Sequence, residues 1–494
     1  MKPPDDAPTR HPPGLYVLFF AEMWERFSFY GMRALLTLYL TKQMGYSDEA
    51  AYAVFGAYGA LVYAFPVVGG LLADRLLGYR LAIVLGGLLM AVGHFVLTFP
   101  SELTFFAALA LICLGNGFFK PSISSLVGAL YEPGDERRDG GFTIFYMGIN
   151  LGAFLAPILC GTLGETFGWH YGFGLAGVGM LCGLAWFLLG RRKLEGHGLP
   201  PDTERLTRSV ALGVGRLHLV LLGVLATVPV VALGLKHNHY VGWVLYGVGA
   251  VVLTALLRMA FSSDRVQRDQ LLLVIVLIAF DVAFWSFFEQ AGSSLTLFTE
   301  RNVDRVVLGY ELKTSQFNAV NSLFIVALAP LFAGLWRRLQ HVGRNPSIPM
   351  KFSLGIVQVG LGFACLVVGA RLAGPDGRSA VVWLILTYLV HTTGELCISP
   401  VGLSAMTKLA PERAVGTVMG AWFLSFSFAE HLGAGIARLT AGAGGAGMGA
   451  TLSPAQSLGV YAHVFTQITW AGVGIGLLLA VLTPLLKRLT HGVE

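Results

Sequence analysis

Charge is scarce in this chain. Asp, Glu, Lys and Arg supply only 13% of the 494 residues, about half the roughly 25% of a soluble domain. A soluble chain of this length divides into domains joined by polar linkers; here apolar sequence runs almost end to end. Disordered, collagen-like and disulfide-scaffold classes are excluded. The five cysteines, Cys113, Cys160, Cys182, Cys365 and Cys397, all lie in apolar runs without a C-x-x-C spacing. They read as small buried residues, not as a disulfide framework or metal site. His94 and His391 have no ligand-spaced partner, and no P-loop, nucleotide fingerprint or serine elbow is present. Neither a metal site nor a catalytic nucleophile–base set is expected, so an enzyme is not. The net charge of +6 is not a nucleic-acid footprint, because the basic residues are spread over short loops instead of forming one patch. No nucleic-acid partner is expected.

What is present is hydrophobicity and glycine. The 55% apolar content and 63 glycines suit a polytopic helical membrane protein, in which small residues let helices approach closely. Reading for spans of about 20 apolar residues gives about fourteen helices. The expected organisation is a polar, proline-rich tail over 1–14, a six-helix bundle over 15–190 and a charged linker over 191–211. An inserted hairpin follows at 212–261, then a second six-helix bundle at 271–486 and a short tail at 487–494. The tail over Met1–Gly14 lacks the basic start and short apolar core of a signal peptide, so the first span is expected to be retained. Lys and Arg fall about 23 to about 8 in favour of the side that carries both termini, which makes that side cytoplasmic. A weak repeat supports the halves: Gly70–Arg80 joins spans two and three, and Gly334-Leu-Trp-Arg337-Arg338 closes the second span of the later block. Two such halves are the mark of the major facilitator architecture. The inserted hairpin carries few charges, which fits a lipid-facing or scaffolding role.

Seven charges lie where lipid would penalise them: Glu22, Glu25, Arg26 and Arg33 in span one, Lys120 in span four, Glu289 in span nine and Glu395 in span twelve. At about 2.5–3.5 kcal/mol each they would cost on the order of 20 kcal/mol if exposed to lipid. They must face one another or a wet cavity. Glu22, Arg26 and Arg33 share one helical face. The first half balances to one positive charge and the second to two negative ones. A cavity with walls of opposite sign matches a small zwitterion, an amino acid or short peptide. Its carboxylate would face the first half and its ammonium the second. Taking a carboxylate out of water favours its neutral form, which gives a physical basis for proton coupling. Asp281 lies two turns before Glu289 and is either a helper proton site or bound to a local polar partner; Glu430 is a further acid in this inventory. Tyr30, Tyr63, Asn150, Trp285, Asn321 and Trp422 decorate the same spans. For any one of them, packing or a helix–helix hydrogen bond is the ordinary expectation. Pro121, Pro157, Pro330 and Pro400 interrupt helices near this level and allow bending.

These residues resemble the proton-dependent oligopeptide transporter family. Glu22-Met-Trp-Glu25-Arg26-Phe27-Ser-Phe29-Tyr30-Gly31-Met-Arg33 is similar to its ExxERFxYYG segment, with Phe29 where tyrosine is usual. Gly115–Pro121, Phe145–Gly152, Phe284–Gln290, Gln316–Ser322 and Gly394–Leu403 resemble its later motifs. The resemblance implies an all-α major facilitator fold of fourteen transmembrane helices, two six-helix bundles plus the hairpin. It implies a proton-coupled symporter importing di- and tripeptides by alternating access, with no cofactor and protons as the coupling ion. Arg33 and Lys120 would hold the peptide carboxylate. Asn150, Asn321 and Glu395 would hold the amino terminus. Tyr30 and Tyr63 would touch the backbone, and Trp285 and Trp422 would shape side-chain pockets. Glu22, Glu25 and Arg26 would couple protonation to Lys120, and Glu289 would pair with Arg33 until protonated. Animal members use a histidine in span two; this sequence has none there, so protons would travel through carboxylates. Expected partners are peptides and the lipid bilayer of the cell's inner membrane, with the protein a monomer. The rivals are another proton-linked carrier on the same architecture, for amino acids, nitrate or cationic drugs, and a receptor or scaffold that binds without flux.

Overall fold

The computed structural model describes residues 10–132, 134–211, 214–411, 414–444 and 452–493; most of the tail expected at 1–14 lies outside them. Fourteen long helices dominate. In chain order they are α1 (Pro13–Lys42), α2 (Asp48–Leu72), α3 (Tyr79–Val96), α4 (Glu102–Ala129), α5 (Arg137–Ala156), α6 (Trp169–Gly190) and α7 (Arg216–Lys236). They continue with α8 (His239–Phe261), α9 (Arg265–Phe288), α10 (Ala319–His341), α11 (Ile348–Arg371), α12 (Val381–Leu409), α13 (Val415–Arg438) and α14 (Pro454–Leu489). Twelve are long and apolar enough to cross a membrane by composition alone. The other two are α1 and α13, which carry the buried Glu22, Glu25, Arg26 and Arg33, and Glu430.

Local chemistry explains several boundaries. Asp264 caps α9, its carboxylate accepting from Gln267 N at 2.9 Å, so the helix starts at Arg265, ahead of the apolar run at 271. The charged stretch Arg265–Gln270, which the expected second bundle at 271–486 left out, is therefore helical. Ser453 and Gln456 form a reciprocal capping box at the start of α14, with Pro454 in the first turn, where a missing N–H costs nothing. That helix runs on to Leu489, three residues into the expected tail. A π-helical turn, Ala73–Leu77, extends α2 and stops at Gly78, whose φ of 71° favours glycine. Pro157 opens a second π-turn, Pro157–Gly161, after α5. Within 191–211, a 3-10 turn (Arg191–Leu194) and a short helix (Thr203–Thr207) occupy part of the linker. The only β-structure among the described residues is three two-stranded scraps, of which one pairs Val303–Asp304 in parallel with Ser379–Ala380.

The chain divides into two compact units that do not follow sequence order. One comprises the chain up to Met32 with Phe65–Leu233; the other comprises Arg33–Ala64 with the chain from Gly234 onward. In the first, α3 lies so close to α4 that a Cβ on Gly115 would stand 2.6 Å from the Gly86 carbonyl. In the second, α11 meets α14 at Gly360 and Gly472, where a Cβ on Gly472 would stand 2.9 Å from the Gly360 Cα. Such contacts need glycine, because van der Waals packing replaces the hydrophobic effect in lipid. The hairpin α7–α8 instead leaves large apolar side chains open, among them Leu222, Val230, Trp243 and Val251.

Candidate functional site: buried charge sets in each unit

In the first unit, the charges of α1 satisfy one another. Glu22, Glu25 and Arg26 are buried. Arg26 grips Glu25 with two donors, Nη2 reaching Oε1 at 2.6 Å and Nε bonding Oε2. Its Nε also lies 3.3 Å from Glu22 Oε1, one turn back. Asn116 on α4 donates to Glu25 Oε1 at 3.1 Å. Lys120, one turn further along α4, is within Coulombic reach of Glu22. Glu22 Oε2 has no hydrogen-bond partner. The three α1 charges sum to one negative, and Lys120 brings the set to zero. Asn150 on α5 is buried and donates to the Tyr146 carbonyl of its own helix at 3.0 Å. The Tyr30 ring packs edge-on against Phe29, 5.2 Å between centroids.

In the second unit, Arg33 is held by two carboxylates. Its Nη2 lies 2.6 Å from Glu289 Oε2 and 2.6 Å from Glu430 Oε1, and its guanidinium sits 5.0 Å from the Phe55 ring centroid. Glu289 stands where helix α9 stops: Glu289–Gly292 is a 3-10 turn and a new helix begins at Ser294. Thr37 of α1 donates to the Gly292 carbonyl at 2.7 Å and satisfies part of that break. Gly59 of α2 leaves room for Glu430, whose Cγ would be 2.9 Å from any Cβ there. One positive and two negative charges leave this set one proton short of neutrality.

Nearby in the same unit, Asn321 Nδ2 donates to Glu395 Oε2 at 2.9 Å and to Thr392 Oγ1 at 3.0 Å. Glu395 and Glu289 are within Coulombic reach of each other. Asp281 has local partners: it accepts from Trp285 Nε1 at 3.0 Å and from Ser425 Oγ at 2.6 Å. Phe426 gathers the aromatic residues. It stacks on Tyr63 at 5.3 Å and lies 5.0 Å from Trp285 and 6.3 Å from Trp422.

The fold and the family resemblance agree with what is found by comparison. A family model described as the POT family matches residues 80–451. The chain belongs to this family. It is 40% identical to the peptide transporter YePEPT of Yersinia enterocolitica, over 86% of this chain and 87% of the relative. It is 34% identical to a dipeptide and tripeptide permease A of Edwardsiella piscicida, over 98% and 96%. Among solved structures, a POT peptide transporter in complex with alafosfalin is similar at a TM-score of 0.84 and 37% identity, with 99% of this chain and 98% of that one covered. The chain thus has the all-helical major facilitator fold, two six-helix bundles with an inserted hairpin, and is a multi-pass membrane transporter and not an enzyme.

Three participants escaped the sequence reading of the POT member. Glu430 appeared there only as a further acid among the spans, yet it binds Arg33 as closely as Glu289 does. A lone acid in an apolar run, eight residues after Trp422, was the available signal. Asn116 sits in the quoted Gly115–Pro121 motif, four residues before Lys120, a spacing that places both on one helix face. Phe426 carried no signal beyond its aromaticity.

Proposed function

We propose that this protein is a proton-coupled symporter that imports di- and tripeptides across the cell's inner membrane by alternating access, with both termini cytoplasmic. The observation that carries the reading is the Arg33–Glu289–Glu430 set, in which one guanidinium meets two carboxylates. An unbalanced ion in a low-dielectric site is costly, and uptake of one proton removes the imbalance. Protonation of Glu289 loosens one of the two bonds on Arg33 and makes its guanidinium available to a peptide carboxylate. Lys120 supplies a second cation for that carboxylate. Asn321 and Glu395, already joined at 2.9 Å, offer an acceptor pair for the peptide ammonium, with Asn150. Tyr30 and Tyr63 contact the peptide backbone, and Trp285 and Trp422 border its side chains. Glu22, Glu25 and Arg26 form the proton-responsive partner of Lys120.

The assignment is supported by the names of its relatives, which include peptide transporters and dipeptide and tripeptide permeases. No cofactor is required, and a monomer suffices. The test is uptake of a neutral dipeptide into proteoliposomes with and without an inward proton gradient. Gradient-driven accumulation that competing dipeptides and tripeptides block is the expected result. Uptake indifferent to the gradient refutes coupling, and competition by single amino acids or nitrate but not by peptides refutes the substrate class.

A further inference from the structure

The second unit contains a cavity that this transport reading does not use. It has a volume of about 210 Å³ and is lined by Asn238, His239, Trp243, Tyr246, His431 and Arg438, with small residues completing the wall. None of its lining residues is Asp or Glu. Arg438 is exposed and makes no ion pair among the described residues. The first turn of α8 begins here, its Tyr240 and Val241 amides already bonded to the His237 and Asn238 carbonyls at 3.0 and 3.1 Å. An arginine fork suits phosphate oxygens. The shape is built, not incidental. Gly242 has no side chain because a Cβ would stand 2.7 Å from the His431 ring, which lies edge-on to Tyr246 at 5.6 Å.

We infer that this cavity binds the phosphate headgroup of an anionic phospholipid, with the side chains of Arg438 and His239 as its ligands. The occupant is lipid and not a free anion because of what surrounds the cavity. Tyr240, Trp243 and Tyr246 are exposed, as are Val244 and Leu439. Amphipathic rings at headgroup level beside bare aliphatic side chains match the interface of a bilayer, and acyl chains would lie along the aliphatic surface. The start of α2, the α7–α8 turn and the end of α13 each follow an odd-numbered crossing. All three therefore lie in the leaflet opposite the termini.

The experiment titrates the full-length protein in detergent with phosphatidylglycerol, phosphatidylcholine or inorganic phosphate and counts bound molecules by native mass spectrometry. Phosphatidylglycerol should bind about fivefold or more tighter than phosphatidylcholine. That preference should fall by at least about half in Arg438→Gln and independently in His239→Gln, an exposed position whose replacement spares the fold. Arg258→Gln, at the far end of the same helix, should retain it. An unchanged preference in both cavity variants, or an equal loss in Arg258→Gln, overturns the site. Inorganic phosphate that abolishes phosphatidylglycerol binding at matched concentration overturns the assignment to lipid.

Discussion

Arg33 meets two carboxylates with one guanidinium, and that ratio sets what its variants should do. Glu289→Gln or Glu430→Gln each leaves a neutral one-to-one pair, so each should fold normally. The double variant removes both carboxylates that grip a buried guanidinium, a loss of about 3–5 kcal/mol. Thermal unfolding in detergent should therefore show strong non-additivity, with little change in either single variant and a large fall in the double. Transport should separate the same residues. Glu289 is the more accessible of the two carboxylates, at 15% side-chain exposure against 2% for Glu430. Glu289→Gln should lower gradient-driven uptake by about tenfold or more, a barrier change of about 1.4 kcal/mol or greater, while peptide exchange at equal pH persists. Equal loss of both activities would mean that Glu289 holds structure and not protons. Gly59→Ala tests the same set from α2. Its methyl must displace the Glu430 side chain, an overpacking of about 1–3 kcal/mol, and Glu430→Gln does not relieve it because the amide keeps the same volume.

At the scale of elements, hydropathy made the fourteen helices readable and charge spacing made the face of α1 readable. The interruption of α9 was not. The run 271–299 reads as one span, whereas the chain breaks into a 3-10 turn at Glu289–Gly292 and restarts at Ser294. That break depends on a tertiary partner, Thr37, bonded to the Gly292 carbonyl, and no local pattern encodes a bond spanning 255 residues. The pairing of Glu430 with Arg33 was hidden for the same reason. The residue types and helix faces lie in the sequence, but which faces meet is decided by packing. The loop between α4 and α5 gives a contrasting case that is wholly local. Asp135 accepts three hydrogen bonds from Arg137, from its backbone N, Nε and Nη2. Those bonds hold the Asp135 carboxyl below the ordinary aspartate range. A depressed acid contributes its stabilisation above the unfolded pKa and loses it only as pH falls through the folded one. The clamp is thus intact between about pH 5 and 7. Asp135→Asn should leave the pH profile of uptake unchanged, although amide exchange at the start of α5 should quicken. A shifted uptake profile in this variant would place proton sensing outside the buried sets.

For the molecule as a whole, the two charge sets differ in a way that bears on substrate choice. The set around Arg26, with Lys120 included, is neutral, whereas the set around Arg33 is one negative unit from balance and has the Asn321–Glu395 pair in its own unit. On the proposed roles, a ligand carrying both an ammonium and a carboxylate can engage Glu395 and Arg33 at once; one carrying a single charge cannot. Three competitors should therefore rank against uptake of a labelled dipeptide. An unmodified dipeptide should compete best. An N-acetylated dipeptide, which keeps the carboxylate proposed to meet Arg33 but offers Glu395 no cation, should be weaker by at least about tenfold, or about 1.4 kcal/mol. An N-acetyl dipeptide amide, with neither charge, should be weaker again. Glu395→Gln supplies the decisive comparison, because it should erase most of the difference between the free and acetylated dipeptides while preserving that between acid and amide. If acetylation costs the same affinity in Glu395→Gln as in the wild type, the ammonium is recognised elsewhere and Glu395 serves only its bond with Asn321.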